Sequence, residues 1–367
     1  MTDYAVKGSV MDLEFFLEIL GTPSTSGEER GLAEFLKERL PVPGCTVTEH
    51  EVGDGTVNLL FDWSGTGHPS FVFCTHMDTV PPYIPPTVMC VGKGDRFPDQ
   101  RKAGQDDTVI CGRGSCDAKG QIFSMYSACL ELQKEGAKDF GLLLLAGEET
   151  GSFGAKAWTR DCEGGDFVLV GEPTDNCLVS ASKGTKSFEV TIPGKACHSG
   201  YPEHGVSAVE RFVDVMDTLK LVEFPEDPVL GPTTWNVGDL SSSNPQNILS
   251  PEIRFRIYFR TTFASDGLIQ NKLVEACPNG TVIHAFGGDS PLEYFHEVDG
   301  IEVKTVSFGS DAPRLGKFAR KAICGPGSIL TAHTDNEYIL VSDIRKAVDQ
   351  YVRIFKEVTK ENKTNAI

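Results

Sequence analysis

Residues 140–149, FGLLLLAGEE, form an apolar run that ends on two adjacent carboxylates, Glu148 and Glu149. An uninterrupted run of this length fits a strand buried on both faces. Two like charges at the end of a buried strand are costly unless something pairs them, and a cation would do so. The design recurs. FVFCTHMD (71–78) ends on His76 and Asp78, and FVLVGEP (167–173) ends on Glu172. The turn GRGSCDAKG (112–120) carries Asp117 just ahead of a helical pattern at Gln121–Gln133, and LTAHTDNEY (330–338) carries His333 after a Gly-Pro-Gly turn.

The surrounding pattern predicts an α/β fold. Apolar residues recur at three and four over 10–40, broken by GTPSTSGEE, where Ser26 ahead of Glu28 and Glu29 suggests a helix start. CTVTEHEV, TVNLLFDW and SFVFCTHM read as strands, and Pro81–Asp107 as a loop region with a short strand at Val88–Val91. Strands alternating with helices give an open, mostly parallel mixed sheet. Ligands bind such sheets beyond the carboxyl ends of the strands, where His76, Glu149 and Glu172 fall. From about Ser182 the pattern changes to a small α+β domain with an antiparallel sheet: KSFEVTIPG, the helix VSAVERFVDVMDTLK, then TWNVGDL, EIRFRIYFRTT and TVIHAFGG. The chain returns to the first domain after Gly288 and ends in the helix DIRKAVDQYVRIFKEV. The expected division is 1–181 with 289–367 around an inserted 182–288.

Composition narrows the function. The chain has 367 residues and a formal net charge of -18, which argues against nucleic acid or anionic membranes as partners. No apolar run approaches the roughly 20 residues of a membrane span. No basic region followed by an apolar stretch opens the N-terminus, so no secretory signal is expected. Eleven Cys without framework spacing fit reduced thiols in a cytoplasm. Cys111 and Cys116 have no second pair downstream, so a Cys-based structural zinc site is not expected.

Singly, each candidate has an ordinary explanation: a His and an Asp in a turn, an Asp capping a helix, a solvated strand end. The Gly-rich turn is not a phosphate loop, since Lys119 lacks a following Ser or Thr. Together, His76, Asp117, Glu149, Glu172 and His333 would give each of two zinc ions a His, a terminal carboxylate and a share of a bridging carboxylate. Such paired ions activate water and polarise a carbonyl. Asp78, two residues from His76, shares its face and can orient its ring.

The order THMDTVPP, GRGSCDAKG, GEETGSFGA, GEPT, KGTKSFEVTIPGKACHSGYPEHGVSA and GPGSILTAHTDNEYI resembles the two-zinc aminoacyl deacylase and exopeptidase family, over nearly the whole chain. The resemblance implies a zinc-exopeptidase-like catalytic domain with an inserted lid domain that dimerises. It implies two Zn2+ per subunit, with Co2+ or Mn2+ able to substitute. His76 and Glu172 would hold one zinc, Glu149 and His333 the other, with Asp117 as the bridge. Glu148 matches the general base and Asp78 the orienter of His76. His198, in the second domain, matches a residue that reaches the partner subunit's site to stabilise an oxyanion. Asn247 and Arg260 match positions near the substrate, although NPQNILSPEI departs from the more usual Asn-x-Ile-Pro run. Arg314, after SDA, is a second candidate beside Arg260 for a contact with a substrate carboxylate, with a surface ion pair as its alternative. Cys116 and Cys197 stand where other small residues are expected.

VGEPTD, ASKG and FGSDAPRL are similar to the acetylornithine deacetylase branch, which implies a cytoplasmic homodimer acting on an N-acyl-L-amino acid in arginine biosynthesis. Succinyl-diaminopimelate desuccinylase, related N-acyl amino acid deacylases and a dipeptidase remain open. So does a binding protein on the same scaffold that has lost catalysis.

Overall fold

In the computed structural model, the described residues are 12–53, 55–90 and 107–365, with side chains described to 360. The N-terminal reading and most of the Pro81–Asp107 segment therefore lie outside them. The chain forms two compact units. One runs through Ser180 and includes Tyr294–Lys304 and Ser310 onward, and the other comprises Ala181–Glu293 with Thr305–Gly309.

The first unit begins with α1 (Leu13–Gly21) and α2 (Arg30–Arg39), followed by β1 (Thr46–Gly53), β2 (Thr56–Asp62) and β3 (Phe71–His76). β4 (Thr87–Cys90), β5 (Thr108–Cys111), α3 (Lys119–Lys134), β6 (Phe140–Leu145), α4 (Phe153–Asp161) and β7 (Phe167–Val170) come next. β8 (Leu178–Ser182) leads towards the second unit, made of β9 (Gly184–Pro193), α5 (Ala208–Lys220), β10 (Thr234–Ser241), β11 (Glu252–Thr261), α6 (Ile269–Ala276), β12 (Val282–Gly287) and β13 (Leu292–Glu293). β14 (Val303–Val306), β15 (Arg320–Ile323), β16 (Tyr338–Leu340) and α7 (Val341–Asn365) complete the chain.

The main sheet has the order β1-β2-β6-β3-β7-β15. The β6–β3, β3–β7 and β7–β15 pairs are parallel, and β1–β2 and β2–β6 antiparallel, so the sheet is mixed as expected. Every residue of β2, β3, β6 and β7 is buried. Phe71, Phe73, Leu142, Leu144, Phe167 and Leu169 join one core with α1, α2, α3 and α7, including a stacked Phe16–Phe123 pair at 4.9 Å. Their neighbours Val72, Cys74, Leu143, Leu145, Val168 and Val170 are buried as well, which is why these strands read as continuous apolar runs.

The second unit is an antiparallel sheet of order β10-β11-β9-β12. Alternate residues of β11 (Ile253, Phe255, Ile257, Phe259) pack with Phe188, Val190 and Ile192 of β9 against α5 and α6. Arg254, Arg256, Tyr258 and Arg260 occupy the other phase of the alternation. No helix of the described residues is long and apolar enough to cross a membrane.

Two expected helix starts are displaced. The residue before α2 is Glu29, with no side-chain cap, and Ser26 instead donates to Asp78 Oδ2 at 2.7 Å. α3 begins at Lys119 after Ala118, again without a side-chain cap, so the helix-cap explanation of Asp117 does not hold. In both cases the polar side chain has a stronger claim elsewhere, on a buried carboxylate or on a pair of imidazoles.

Candidate metal centre

Strand register brings the first group together. Phe71 pairs with both Phe140 and Phe167, and Cys74 with both Leu143 and Val170. The three central strands are therefore parallel and end at the same edge of the sheet. β3 delivers His76, β6 delivers Glu148 and Glu149, and β7 delivers Glu172. Within this sheet the chain passes from β3 to β6 on one side and from β7 to β15 on the other, so the switch point where α/β sheets bind ligands lies between β3 and β7.

A smaller sheet, β16-β5-β4, supplies the rest. β5 ends at Cys111, directly before the Asp117 turn, and pairs with Tyr338, directly after the His333 loop. The adjacent strand ends hold the two loops side by side. Gly120 closes the Asp117 turn: a Cβ there would stand 2.1 Å from the Ser115 carbonyl oxygen. His333 has φ +63°, a left-handed conformation rare outside glycine.

Asp117 is the hub. Its Oδ1 lies 3.1 Å from His76 Nε2, and its Oδ2 lies 3.4 Å from His333 Nε2. His333 Nε2 also meets Glu149 Oε1 at 2.9 Å. Ligand atoms of His76, Asp117 and Glu149 all lie within 4.8 Å of one another. Glu172 is buried nearby in the charge field of Glu148 and Asp117, and its Oε1 has no hydrogen-bond partner among the described residues. Imidazole and carboxylate donors with one orphaned buried oxygen fit a borderline divalent ion of the zinc type.

Asp78 organises this edge from beneath. It is fully buried, and its Oδ1 lies 3.3 Å from His76 Nδ1. The same carboxylate accepts the Glu148 N–H at 3.0 Å, the Glu149 N–H at 3.1 Å and the Ser26 hydroxyl. The Asp78 carbonyl oxygen also meets His76 Nδ1, at 3.0 Å, and the carboxylate fixes the peptide that carries both glutamates. Glu29 adds a further tie by accepting the Gly147 N–H at 3.2 Å.

The electrostatics follow from this crowding. Burial works against a charged His76, but hydrogen bonds to Asp117 and Asp78 outweigh it and hold the ring well above its ordinary value. Hydrogen bonds to Asp117 and Glu149 raise His333 to about 10. Burial would raise Asp117, yet the two imidazoles hold it well below the usual carboxylate range. Enclosure pushes Glu148 and Glu172 well above that range, with neighbouring acids adding to it.

The remaining expected residues are described by their own contacts. In the second unit, the Ser199 N–H donates to the Asn247 carbonyl at 2.9 Å and His198 bridges Ile248, so the His198 and Asn247 loops are joined. Both residues are exposed. Arg260 lies over the Tyr258 ring at 4.9 Å. Arg314, in the first unit, ends a short 3-10 turn, and its carbonyl accepts the Thr159 hydroxyl. Cys116 is fully buried, and a Cβ on Gly327 would come within 2.6 Å of its Cβ, so the close approach needs glycine at 327. None of the eleven Cys is in a disulfide.

Several buried charges near the centre escape a reading of the sequence. Asp311 is fully buried in the field of His76, Asp78 and Glu149, and burial raises it to about 7. Arg113 and Glu337 form a buried ion pair at 2.7 Å. All three stand inside segments whose neighbours draw the attention, GRGSCDAKG, FGSDAPRL and LTAHTDNEY.

Comparison with known proteins agrees with this geometry. The family model described as peptidase family M20/M25/M40 matches residues 72–357. A probable carboxypeptidase of Aspergillus clavatus is 32% identical, covering 92% of this chain and 86% of its own. A peptidase M20 domain-containing protein of Schizosaccharomyces pombe is 30% identical, covering 90% and 80%. Among solved structures, a tripeptidase from Staphylococcus aureus superposes with a TM-score of 0.76 at 20% identity, covering 95% of this chain and 98% of its own. An M20 family metallo-carboxypeptidase from Sulfolobus solfataricus gives 0.67 at 18% identity, covering 94% and 98%. At those identities the two structures speak to the fold alone.

Proposed function

The chain belongs to peptidase family M20/M25/M40, and on that basis we propose a metal-dependent exopeptidase of the carboxypeptidase kind. It would cleave an amide whose nitrogen belongs to an amino acid with a free carboxylate. The observation that carries this reading is the Asp117 carboxylate set between His76 and His333, with Glu149 beside it and Glu148 next in sequence.

His76 and Glu172 would hold one divalent ion and Glu149 and His333 a second, with Asp117 shared. When bound, such ions activate water and polarise the scissile carbonyl. Glu148 takes the proton of the attacking water and returns it to the leaving amine. Its enclosure, which favours the protonated carboxyl, suits a group that must hold that proton between the two steps. Asp78 keeps Glu148 in place through the Glu148 N–H. His198, supplied by a second copy of the chain, stabilises the oxyanion. Arg260 or Arg314 receives the substrate carboxylate, for which a guanidinium offers paired donors, and Asn247, whose loop is joined to that of His198, would contact the substrate with it.

Relatives named as probable carboxypeptidases, 30–32% identical over nearly the whole chain, support the peptide as substrate. A second reading, acetylornithine deacetylation, draws on VGEPTD and FGSDAPRL and uses the same bond, an acyl group on the amine of a free amino acid. Zinc-loaded protein should be assayed against dipeptides and acylated dipeptides with free carboxyl ends, N-acetylornithine, N-succinylornithine, N-acetylcitrulline and succinyl-diaminopimelate. The peptide reading predicts the highest kcat/KM on a peptide. A dominant rate on N-acetylornithine would replace it with the second reading. Turnover of none of them with zinc, cobalt or manganese would end both.

A further inference from the structure

We propose that the buried Arg113–Glu337 pair is a positioning device that sets the Asp117 turn against the His333 loop and so fixes the spacing of the metal centre. The proposal rests on the metal-centre reading above and assigns a role to two residues outside the ligand set. The Arg113 side chain is 2% exposed and that of Glu337 0%. The first lies four residues before Asp117 and the second four residues after His333, so each partner belongs to one of the loops that must be matched.

Their contacts join those loops directly. Glu337 Oε1 accepts two consecutive backbone N–H groups, from Cys116 at 3.2 Å and from Asp117 at 3.1 Å. Glu337 Oε2 accepts from Arg113 Nη1 at 2.7 Å. The same Nη1 donates to the carbonyl of Thr334, the residue after His333, at 3.1 Å. The Gly112 N–H donates to the Glu337 carbonyl at 3.0 Å. One carboxylate therefore holds the peptide of the bridging aspartate, and its guanidinium partner holds the peptide beside the histidine. A third segment is included, because Arg113 Nε donates to the Pro82 carbonyl at 3.4 Å and the Arg113 N–H to the Ile84 carbonyl at 3.0 Å.

A pair serving only stability would be replaceable by apolar side chains of similar volume, which is often neutral or stabilising for buried ion pairs. A positioning pair would not, because the Cys116, Asp117 and Thr334 peptide groups would lose their fixed partners. Groups that orient ligands typically change metal affinity by about 10–100-fold when removed.

The test uses the full-length protein in its metal-free form. Arg113→Met/Glu337→Met removes both charges together, and Glu337→Gln retains one oxygen for the Cys116 and Asp117 N–H groups. Cobalt affinity is measured by chelator competition, the visible cobalt spectrum recorded, and thermal unfolding followed without metal. The proposal expects a double variant that still folds, melting lower because the Cys116 and Asp117 N–H groups lose their acceptor, and that binds cobalt about 10–100-fold more weakly with an altered spectrum. Glu337→Gln should fall between it and the wild type. Wild-type affinity and spectrum in the double variant would overturn the proposal. So would failure of the double variant to fold, which would make the pair a folding element. A wild-type protein that binds no cobalt would instead overturn the metal-centre reading itself.

Discussion

Replacing Asp78 by asparagine tests how far the centre depends on a residue outside the ligand set. The wild-type carboxylate accepts from Glu148 N–H and His76 Nδ1 on Oδ1, and from Glu149 N–H and the Ser26 hydroxyl on Oδ2. The substituted side chain keeps the shape but has one oxygen. Whichever way the amide turns, its NH2 faces a backbone N–H, leaving one buried donor unpaired at about 1–3 kcal/mol. The surviving bonds lose their charge assistance, roughly half their strength. The sum is about 2–4 kcal/mol, or a fall in Tm of roughly 5–15 °C using the slope for large domains.

Burial would raise Asp78, but its bonds to His76, Ser26 and the Glu148 N–H hold it below the ordinary range. A carboxyl lowered by folding stabilises above its unfolded value, and that contribution is lost as pH falls through the folded value. The gap between wild type and Asp78→Asn should therefore be widest near neutrality and narrow in strong acid. Thermal unfolding of the metal-free proteins across pH measures this, and chelator competition should show weaker metal binding. A variant that melts within about 1 °C of the wild type and keeps its metal affinity would refute the reasoning.

Three further outcomes follow from the same geometry. His333, raised to about 10 in the metal-free protein, carries a proton near neutral pH. Metal uptake must expel it, so calorimetry in buffers of different ionisation enthalpy should show release of about one proton or more, and a buffer-independent heat would count against it. The Gly120→Ala change places a Cβ 2.1 Å from the Ser115 carbonyl oxygen. It should destabilise by at least about 1–3 kcal/mol and weaken metal binding, whereas a neutral melt would show that the Asp117 turn yields easily. Mixing His198→Ala with Glu148→Gln protomers should restore part of the activity if His198 acts across subunits, and absence of restoration would place it in its own subunit's site.

The legible parts of this molecule are those in which one strand states its own environment. β3, β6 and β7 are buried on both faces, so their continuous apolar runs and the charged residues ending them are visible without coordinates. The joining of these ends depends on register between distant segments, such as Phe71 with Phe140 and Phe167, which no local pattern encodes. Local reading also offered two polar residues a helix-cap explanation that the structure removes. Ser26 looks like a helix cap, and Asp117 could be one, because both precede helical patterns, but long-range partners at Asp78, His76 and His333 take their side chains. Glu337 and Asp311 stayed hidden because an acid in a loop reads as solvated until burial is known. Arg260 and Arg314 could be matched only by resemblance, since substrate contacts carry no periodicity.

The central claim is that these strand ends form a metal-centred amide hydrolase in which Glu148 is the base and not a ligand. The most direct measurement is a comparison of Glu148→Gln with wild type for metal content per chain and for kcat on the best substrate of the panel. The account predicts unchanged metal content with kcat lower by about 10²–10⁴-fold, the usual contribution of a general acid–base. A near wild-type rate, or loss of metal together with activity, would contradict it.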